Sequence, residues 1–365
     1  MPYPLATRCL AAVWLFISTA IFCPELAFSQ EMEQTPTRDS SLRIFAVPVV
    51  VYTPDTYWAF GAAGIVTFKG KPLRSSVSFG INYTQRKQIL VNFPFQWFSP
   101  AGYWRAYGEL AWYRYLYQYF GIGNSYPNDY LEKYVAQYPR ARLSLLRRLR
   151  TNQLAGLRLG FDAYRILSVD EGGELAAGKV AGTGGGISSI LGPVWLFDSR
   201  DNQFYPGKGV LIESTLFGES PLWGSNFSYL RFSLESSRYF TLLKNNVLAL
   251  HFLGQTSAGN PPFYGMAQLG GARLLRGYPL GKYRDRHVLL VQAEYRFPIF
   301  WRFKGVVFGG TGSVFGTPGE RLRWRPNAGA GLRFEFDRKQ HIHLRMDYGI
   351  GAHNSGFYLT VGEAF

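Results

Sequence analysis

The chain has 365 residues and a formal net charge of +15, with 17% aromatic and 17% charged residues. The high aromatic content and the low charged fraction exclude a disordered chain. No run of about 20 apolar residues occurs beyond the N-terminus, which excludes a helical membrane protein. A transmembrane β-barrel stays open, because its alternating strands hide their apolar surface from such a hydropathy test.

The first 29 residues are predicted to be a cleaved signal peptide. Arg8 precedes a short apolar segment, and a small-residue cleavage site ends at position 29. Cleavage there removes Cys9 and Cys23, the two cysteines of the chain, and so excludes disulfide frameworks, cysteine-zinc sites and thiol catalysis. A lipoprotein signal at Cys23 is disfavoured, because a large phenylalanine precedes it. Residues 30–42 are polar and are predicted to form a short periplasmic leader.

From residue 43 to residue 365 the sequence alternates between apolar and polar residues in segments broken by turn residues. In the segment 288–297, for example, Gln292, Glu294 and Arg296 fall on one face and apolar residues on the other. We predict sixteen strands, near 43–53, 57–69, 73–84, 86–98, 103–117, 132–148, 151–165, 184–199, 208–218, 226–240, 243–256, 286–298, 301–314, 325–337, 340–351 and 355–365.

The predicted fold is all-β, a single 16-stranded antiparallel transmembrane β-barrel over residues 43–365. An even strand count suits a closed bacterial barrel and places both termini on the periplasmic side. Long connections then lie outside the cell and short turns lie inside, as the spacing of the segments indicates. A secreted sandwich or propeller is the alternative, but no blade-length repeat is visible.

The longest predicted outer connection, 257–285, carries a tetrad formed by Leu275, Arg276, Gly277 and Tyr278. This tetrad resembles the signature of the sixth outer loop in the BamA/TamA outer-membrane assembly superfamily, also called the bacterial surface antigen family. The resemblance implies that the loop folds back into the barrel lumen and that Arg276 docks on the barrel wall. A buried arginine needs carboxylates and other acceptors, and a neighbouring glycine lets the loop backbone pass closely.

Further stretches resemble the same family, in the same order along the chain. They are Asp198-Ser199-Arg200-Asp201 with Pro206 and Gly209 in the turn between strands eight and nine, Tyr119–Asn124 in an early loop, Asn327–Arg333 with Gly329, Gly331 and Arg333 in the fourteenth strand, and Arg345–Gly349 and Val361–Phe365 in the last two strands. Together they cover nearly the whole predicted mature chain.

Two features depart from the family pattern. The family's thirteenth strand carries an aspartate that pairs with the loop arginine, whereas this chain has Gly310 there. Alternation places Glu294, Glu335 and Asp347 on the lumen side, and we expect Glu294 or Asp347 to receive Arg276. The family's periplasmic POTRA modules, which receive client chains, need far more sequence than the predicted leader offers. The chain therefore resembles the POTRA-less branch.

Pro48, Gly362 and Phe365 mark the predicted seam between the first and last strands. A proline lacks an N–H and weakens strand pairing, so Pro48 indicates either a seam that opens sideways or an outward residue at the membrane interface. Phe365 is predicted to share the outward face of the last strand with Phe357 and to close the barrel.

Other clusters give no sign of chemistry. His341 and His343 share a strand face, but no third metal ligand is near them, and no G-x-S-x-G elbow occurs. We therefore expect no enzyme, metal or cofactor.

Five arginines near the sixth strand indicate contact with lipid phosphates, an anion-favouring lumen or a solvated wall: Arg140, Arg142, Arg147, Arg148 and Arg150. Nucleic acid is not expected as a partner of an exported barrel.

The resemblance implies a protein of the Gram-negative outer membrane that assists insertion or translocation of polypeptides, or of lipids, by bilayer perturbation and seam opening. The expected partners are outer-membrane lipids including lipopolysaccharide, and either unfolded outer-membrane protein clients or an envelope partner. Two alternatives stay open: a passive or gated pore that favours anions, and a barrel that anchors an envelope partner.

Overall fold

The structure is a computed structural model. It describes residues 43–53, 57–68, 75–243, 245–316, 321–338 and 341–365. The predicted signal peptide and leader lie outside the described residues.

Within the described residues, sixteen strands form one antiparallel sheet in which sequence neighbours pair, and β11 pairs with β14. A separate two-stranded sheet, β12 with β13, lies within the connection between β11 and β14. The strands are β1 Arg43–Thr53, β2 Tyr57–Thr67, β3 Ser76–Thr84, β4 Ile89–Phe98, β5 Trp104–Tyr119, β6 Glu132–Arg150, β7 Gln153–Val169, β8 Gly186–Asp198, β9 Gly209–Glu219, β10 Tyr229–Thr241, β11 Val247–Gly259, β12 Ala267–Leu269, β13 Tyr283–Asp285, β14 His287–Phe300, β15 Phe303–Phe315, β16 Arg325–Asp337, β17 Ile342–Gly351 and β18 Asn354–Val361. The all-β prediction is confirmed.

Helical structure in the described chain is limited to two three-residue 3₁₀ turns, Pro221–Trp223 and Phe263–Gly265. Neither has the length or apolar character that a membrane-crossing helix requires.

The two ends of the sheet differ in the length of their connections. Residues 151–152 and 301–302 make two-residue turns at one end, and residues 120–131, 170–185 and 260–286 make long connections at the other. Sixteen antiparallel strands bring the start of β1 and the end of β18 to the end with the short turns, which we call the short-turn end. This asymmetry is typical of outer-membrane barrels.

The two faces of the sheet differ in chemistry. On β14, Gln292, Glu294 and Arg296 are buried, whereas Val291 on the other face is 45% exposed. The exposed face of other strands also carries large apolar residues such as Leu110. A sheet that buries charge and exposes leucine is inverted relative to a soluble protein. Lipid on the apolar face accounts for this inversion, because lipid solvates leucine without cost.

The long connection 260–286 packs on the buried face of the sheet. Leu269, Leu275 and Tyr278 from this connection join Leu290 of β14 and Val314 of β15 in one buried cluster. A second buried cluster sets Phe263 of the same connection against Tyr119 of β5 and Tyr134 of β6. Apolar contacts thus hold the connection to β14 and β15 in one cluster and to β5 and β6 in the other.

The C-terminal residues leave the sheet instead of completing the last strand. β18 ends at Val361, and Gly362 adopts a φ of +83°, a conformation that favours glycine. Phe357 is 65% exposed, whereas Phe365 is 5% exposed and stacks on the ring of His251 at 4.7 Å between centroids. The prediction that Phe365 shares the outward face of Phe357 is wrong, because the turn at Gly362 moves it to the buried side.

Candidate functional site

The predicted tetrad lies in a tight bend of the long connection. Leu275 has a φ of +61° and Gly277 a φ of +108°. Leu275, Arg276 and Tyr278 are all fully buried. The bend presses the tetrad against β14–β18, so the polar groups of the loop need partners on those strands.

Arg276 finds two carboxylates and an aromatic ring. Its Nη1 donates to Asp347 Oδ2 on β17 and its Nη2 to Glu294 Oε1 on β14, both at 2.5 Å. Its guanidinium carbon lies 3.5 Å from the ring centroid of Phe308 on β15. Phe308 lies two residues before Gly310, the position at which the sequence resemblance implied an aspartate. A ring face and two flanking carboxylates thus surround the buried cation.

The two carboxylates continue into a closed ring of alternating charges. Asp347 Oδ1 accepts from Arg333 Nη1 at 2.5 Å, and Arg333 Nε donates to Glu363 Oε2 at 2.8 Å. On the other side Glu294 Oε2 lies 2.8 Å from Arg296 Nη2, and Arg296 Nε lies 4.0 Å from Glu363 Oε2. We call this set the charge ring. Its members are Arg276, Glu294, Arg296, Glu363, Arg333 and Asp347.

The charge ring links the loop to the C-terminus of the chain. Every side chain in it is at most 3% exposed, so each charge depends on its neighbours for stabilisation. Arg296 Nη2 also donates to the backbone oxygen of Phe365 at 2.9 Å. Arg345 flanks the ring and donates to Ala272 O in the loop at 2.9 Å. A displacement of the loop therefore removes a countercharge from the groups that hold residues 363–365.

The backbone of the loop passes unusually close to β17. A Cβ added to Gly277 would lie 2.7 Å from the carbonyl carbon of Ile350, and one added to Gly349 would lie 2.8 Å from that of Arg276. Asn327 Nδ2 donates to Arg276 O at 2.6 Å, and Gly277 N donates to Tyr358 OH at 2.9 Å. Glycine on both surfaces is what permits this contact.

A comparison with models of protein families finds a match over most of the chain. A family model described as the Omp85 superfamily domain matches residues 66–365. The chain belongs to the Omp85 superfamily. No curated protein matches the chain significantly in sequence.

Solved structures similar to this Omp85 chain share its fold at low sequence identity. BamA from Haemophilus ducreyi lacking POTRA domains 1–3 is 16% identical with a TM-score of 0.60, over 89% of this chain and 69% of that one. CdiB from Acinetobacter baumannii is 15% identical with a TM-score of 0.54, over 87% of this chain and 59% of that one. CdiB from Escherichia coli is 13% identical with a TM-score of 0.57, and 61% of its length is covered.

The turn between β8 and β9 of this Omp85 chain is built by its acidic residues. Arg200 is paired with Asp198 at 2.8 Å, and Asp201 Oδ1 accepts from the backbone N–H groups of Gly207 and Lys208. Burial alone would lower the pKa of Arg200, but Asp198 raises it above its usual value. Gly209 has a φ of +105°. These contacts fix the turn at the short-turn end.

The same turn reaches the charge ring. The ring of Tyr205 lies 5.6 Å from the guanidinium carbon of Arg296 and 4.5 Å from the ring of His343. Pro206 beside it is buried. The turn thus packs against Arg296 of the charge ring and against His343 of β17.

The other predicted residues do not all lie at the charge ring. Glu335 has no hydrogen bond or ion pair with Arg276 among the described contacts. Instead it accepts from His341 Nδ1 at 2.7 Å and lies 3.8 Å from Lys304 Nζ, because it is two residues nearer the short-turn end than Arg333. Within the described residues no group of histidines and acids forms a metal site. Pro48 is exposed and pairs with Ala62 of β2.

The glycines predicted on the fourteenth strand of the sheet, β16, have specific neighbours. Gly329 lies against the ring of Phe308, and Gly331 leaves the space that the Asp347 carboxylate and the Arg333 guanidinium occupy. A larger residue at either position would displace a neighbour of Arg276.

Sequence reasoning missed the roles of Arg296, Arg345 and Glu363 in this site. Arg296 follows Glu294 by two residues on the same face, so alternation could have placed it beside the loop arginine. Glu363 carried no such signal, since the period of the last strand places it on the outward face.

Tyr278 provides a stability test of loop docking. Its hydroxyl donates to Pro326 O at 2.8 Å and accepts from Ala352 N at 2.8 Å. Tyr278→Phe removes both of these partly buried hydrogen bonds, and we expect it to lower the free energy of unfolding by about 1–3 kcal/mol. Urea-unfolding midpoints in lipid measure the effect. Tyr348→Phe on the exposed face of β17 is the control, and an equal loss in the two variants would contradict the expectation.

Proposed function

We propose that this protein assists the insertion or translocation of polypeptides at the Gram-negative outer membrane, as a closed sixteen-strand barrel with its long loop inside the lumen. Family membership supports an outer-membrane barrel of the assembly and translocation type. The observation that carries the proposal is the charge ring, which joins the loop tetrad to the residues that follow the last strand.

Contacts across the sheet support closure into a barrel. Phe365, beyond β18, packs in one cluster with Tyr239 of β10 and with Val247 and Ala249 of β11. The long connection reaches both sides as well, since Arg284 Nη2 donates to Gln118 O of β5 at 3.1 Å while Arg276 binds β14 and β17. Strands so far apart in the strand order share contacts only when the sheet is strongly curled.

The proposed mechanism is a seam between β1 and β18 that is controlled by the loop. Pro48 on β1 lacks a backbone donor, and β18 ends at Val361 before the turn at Gly362, so we expect fewer hydrogen bonds between these strands at both places. With Arg276 docked, the charge ring holds Glu363 and the Phe365 backbone on the buried side. Undocking of Arg276 would remove a countercharge and loosen that C-terminal segment. The seam would then open to a client strand and to lipid.

The partners in this proposal are outer-membrane lipids including lipopolysaccharide, together with unfolded outer-membrane proteins or an envelope partner that delivers them. The chemistry is recognition and transfer of a strand without bond cleavage. No catalytic role is proposed for any residue.

Folding kinetics in liposomes test the proposal. The protein is reconstituted in liposomes, and a urea-unfolded test barrel is added to these and to empty liposomes. We expect faster folding of the test barrel with the wild-type protein and loss of that acceleration with Arg276→Ala. No acceleration by a wild-type protein that is itself folded would contradict the proposal.

A gated pore is the second candidate, and one observation favours it. A cavity of about 330 Å³ lies between the buried face of β5–β10 and the loop segment 264–266. Arginines such as Arg105, Arg158 and Arg231 line it, but Arg158 pairs with Glu213 at 3.0 Å, which reduces any preference for anions. Single-channel recording in planar bilayers separates the candidates, since a pore would conduct without a client.

A further inference from the structure

One arginine lies between two tryptophans in the cross-strand register of the outward face of the sheet. Arg147 of β6 stands directly opposite Trp104 of β5, and its guanidinium carbon lies 5.8 Å from that ring centroid. On its other side Arg147 pairs in register with Ala155 of β7, which in turn pairs with Trp195 of β8. Ala155, which has a small side chain, therefore separates Arg147 from Trp195 in this register.

The surface on the loop side of these residues is apolar. Leu143 and Leu145 precede Arg147 on the same face of β6 and are 38% and 45% exposed, and Leu157 of β7 is 54% exposed. An arginine at the edge of such a surface sits where a bilayer changes from acyl chains to headgroups, and tryptophan marks the same depth. The anion available to the arginine at this depth is a lipid phosphate.

Two more arginines follow at the end of the strand. Arg147, Arg148 and Arg150 are all exposed, and among the described residues none of the three forms an ion pair with a carboxylate. The adjacent turns 99–103 and 151–152 contain no acidic residue. Arg148 N donates to Tyr103 O at 2.8 Å, which ties the end of β6 to the turn 99–103.

Arginines elsewhere on β6 behave differently. Arg140 pairs with Asp162 at 3.0 Å, and Arg142 pairs with the same carboxylate on the buried face. The protein therefore supplies an acid to Arg140 and Arg142 of β6, and three arginines at the short-turn end are left for an external anion.

We propose that Arg147, Arg148 and Arg150 form a binding site for an anionic phospholipid. Arg147 holds the phosphate, Trp104 and Tyr103 lie at the headgroup, and the acyl chains follow Leu145 and Leu143. Three cations without a carboxylate favour a lipid with net negative charge over a zwitterionic lipid, whose ammonium group they repel. This inference rests on the proposed membrane location, which sets the site in the inner leaflet, and is independent of insertion activity.

Native mass spectrometry of the purified full-length protein in neutral detergent tests the site. Phosphatidylglycerol and phosphatidylcholine with the same acyl chains are titrated separately. We expect phosphatidylglycerol to bind the wild-type protein more tightly, and Arg147→Gln to weaken that binding about fivefold, with little change for phosphatidylcholine. The matched control is Arg165→Gln, which removes an exposed arginine near the other end of β7 and should leave the preference unchanged.

Three results would overturn the proposal. The first is equal affinity of the wild-type protein for the two lipids, and the second is an unchanged preference in Arg147→Gln. The third is displacement of the lipid by millimolar glycerol phosphate, which would indicate a site for free anions.

Heat-dependent gel mobility confirms that each variant is folded. If Arg147→Gln does not fold, Arg148→Gln with Arg150→Gln takes its place, with a weaker preference expected. Because no client is present, a protein without insertion activity would still give the expected result.

Discussion

Arg276→Ala is expected to lower the free energy of unfolding by about 3–5 kcal/mol, because it leaves Glu294 and Asp347 buried without one of their countercharges. The loop would also lose its cation contact with Phe308. Urea-unfolding midpoints in lipid measure the loss.

Two further variants separate charge balance from simple loss of a side chain. Arg238→Ala removes an exposed arginine of β10, and we expect a change within about 0.5 kcal/mol. Combining Arg276→Ala with Glu294→Gln removes one unpaired negative charge, so the double variant should lose less than the sum of the single variants. Additive losses, or equal losses for Arg276→Ala and Arg238→Ala, would show that the charge ring does not act as a unit.

Gly277→Ala is expected to undock the loop. Gly277 has a φ of +108°, and its added Cβ would lie 2.7 Å from the Ile350 carbonyl carbon and 2.8 Å from Gly351 N. These are backbone atoms of a paired strand, so they cannot yield as the end of a side chain would. We expect a loss of stability of at least about 2 kcal/mol. The undocked loop should also be cleaved by external trypsin at Arg273 and Arg276, which are paired and buried, respectively, in the docked loop.

The matched control for this variant is Gly178→Ala. Gly178 also has a positive φ, +67°, but nothing lies within 4 Å of its added Cβ. The control therefore carries the backbone strain of alanine, about 1 kcal/mol, without the clash. If both variants lose the same stability and resist trypsin equally, the close approach of Gly277 to β17 does not hold the loop.

The sequence determined those features that depend on local periodicity and on a compact motif. Alternation at period two places Glu294 and Asp347 on one face and leucines on the other, because successive residues of a strand point to opposite sides. The tetrad around Arg276 is contiguous, so it was visible without knowledge of the fold. The arginines of β6 were also visible, but as one cluster with three interpretations.

Only the tertiary structure decided how these residues combine. It placed Arg140 and Arg142 against Asp162 and left Arg147 facing outward beside Trp104. It also turned the chain at Gly362 and brought Glu363 into the charge ring. Strand periodicity is a local rule that fails where a glycine takes a positive φ, and the charge ring joins residues far apart along the chain, whose attraction acts only after the sheet has curled and excluded water.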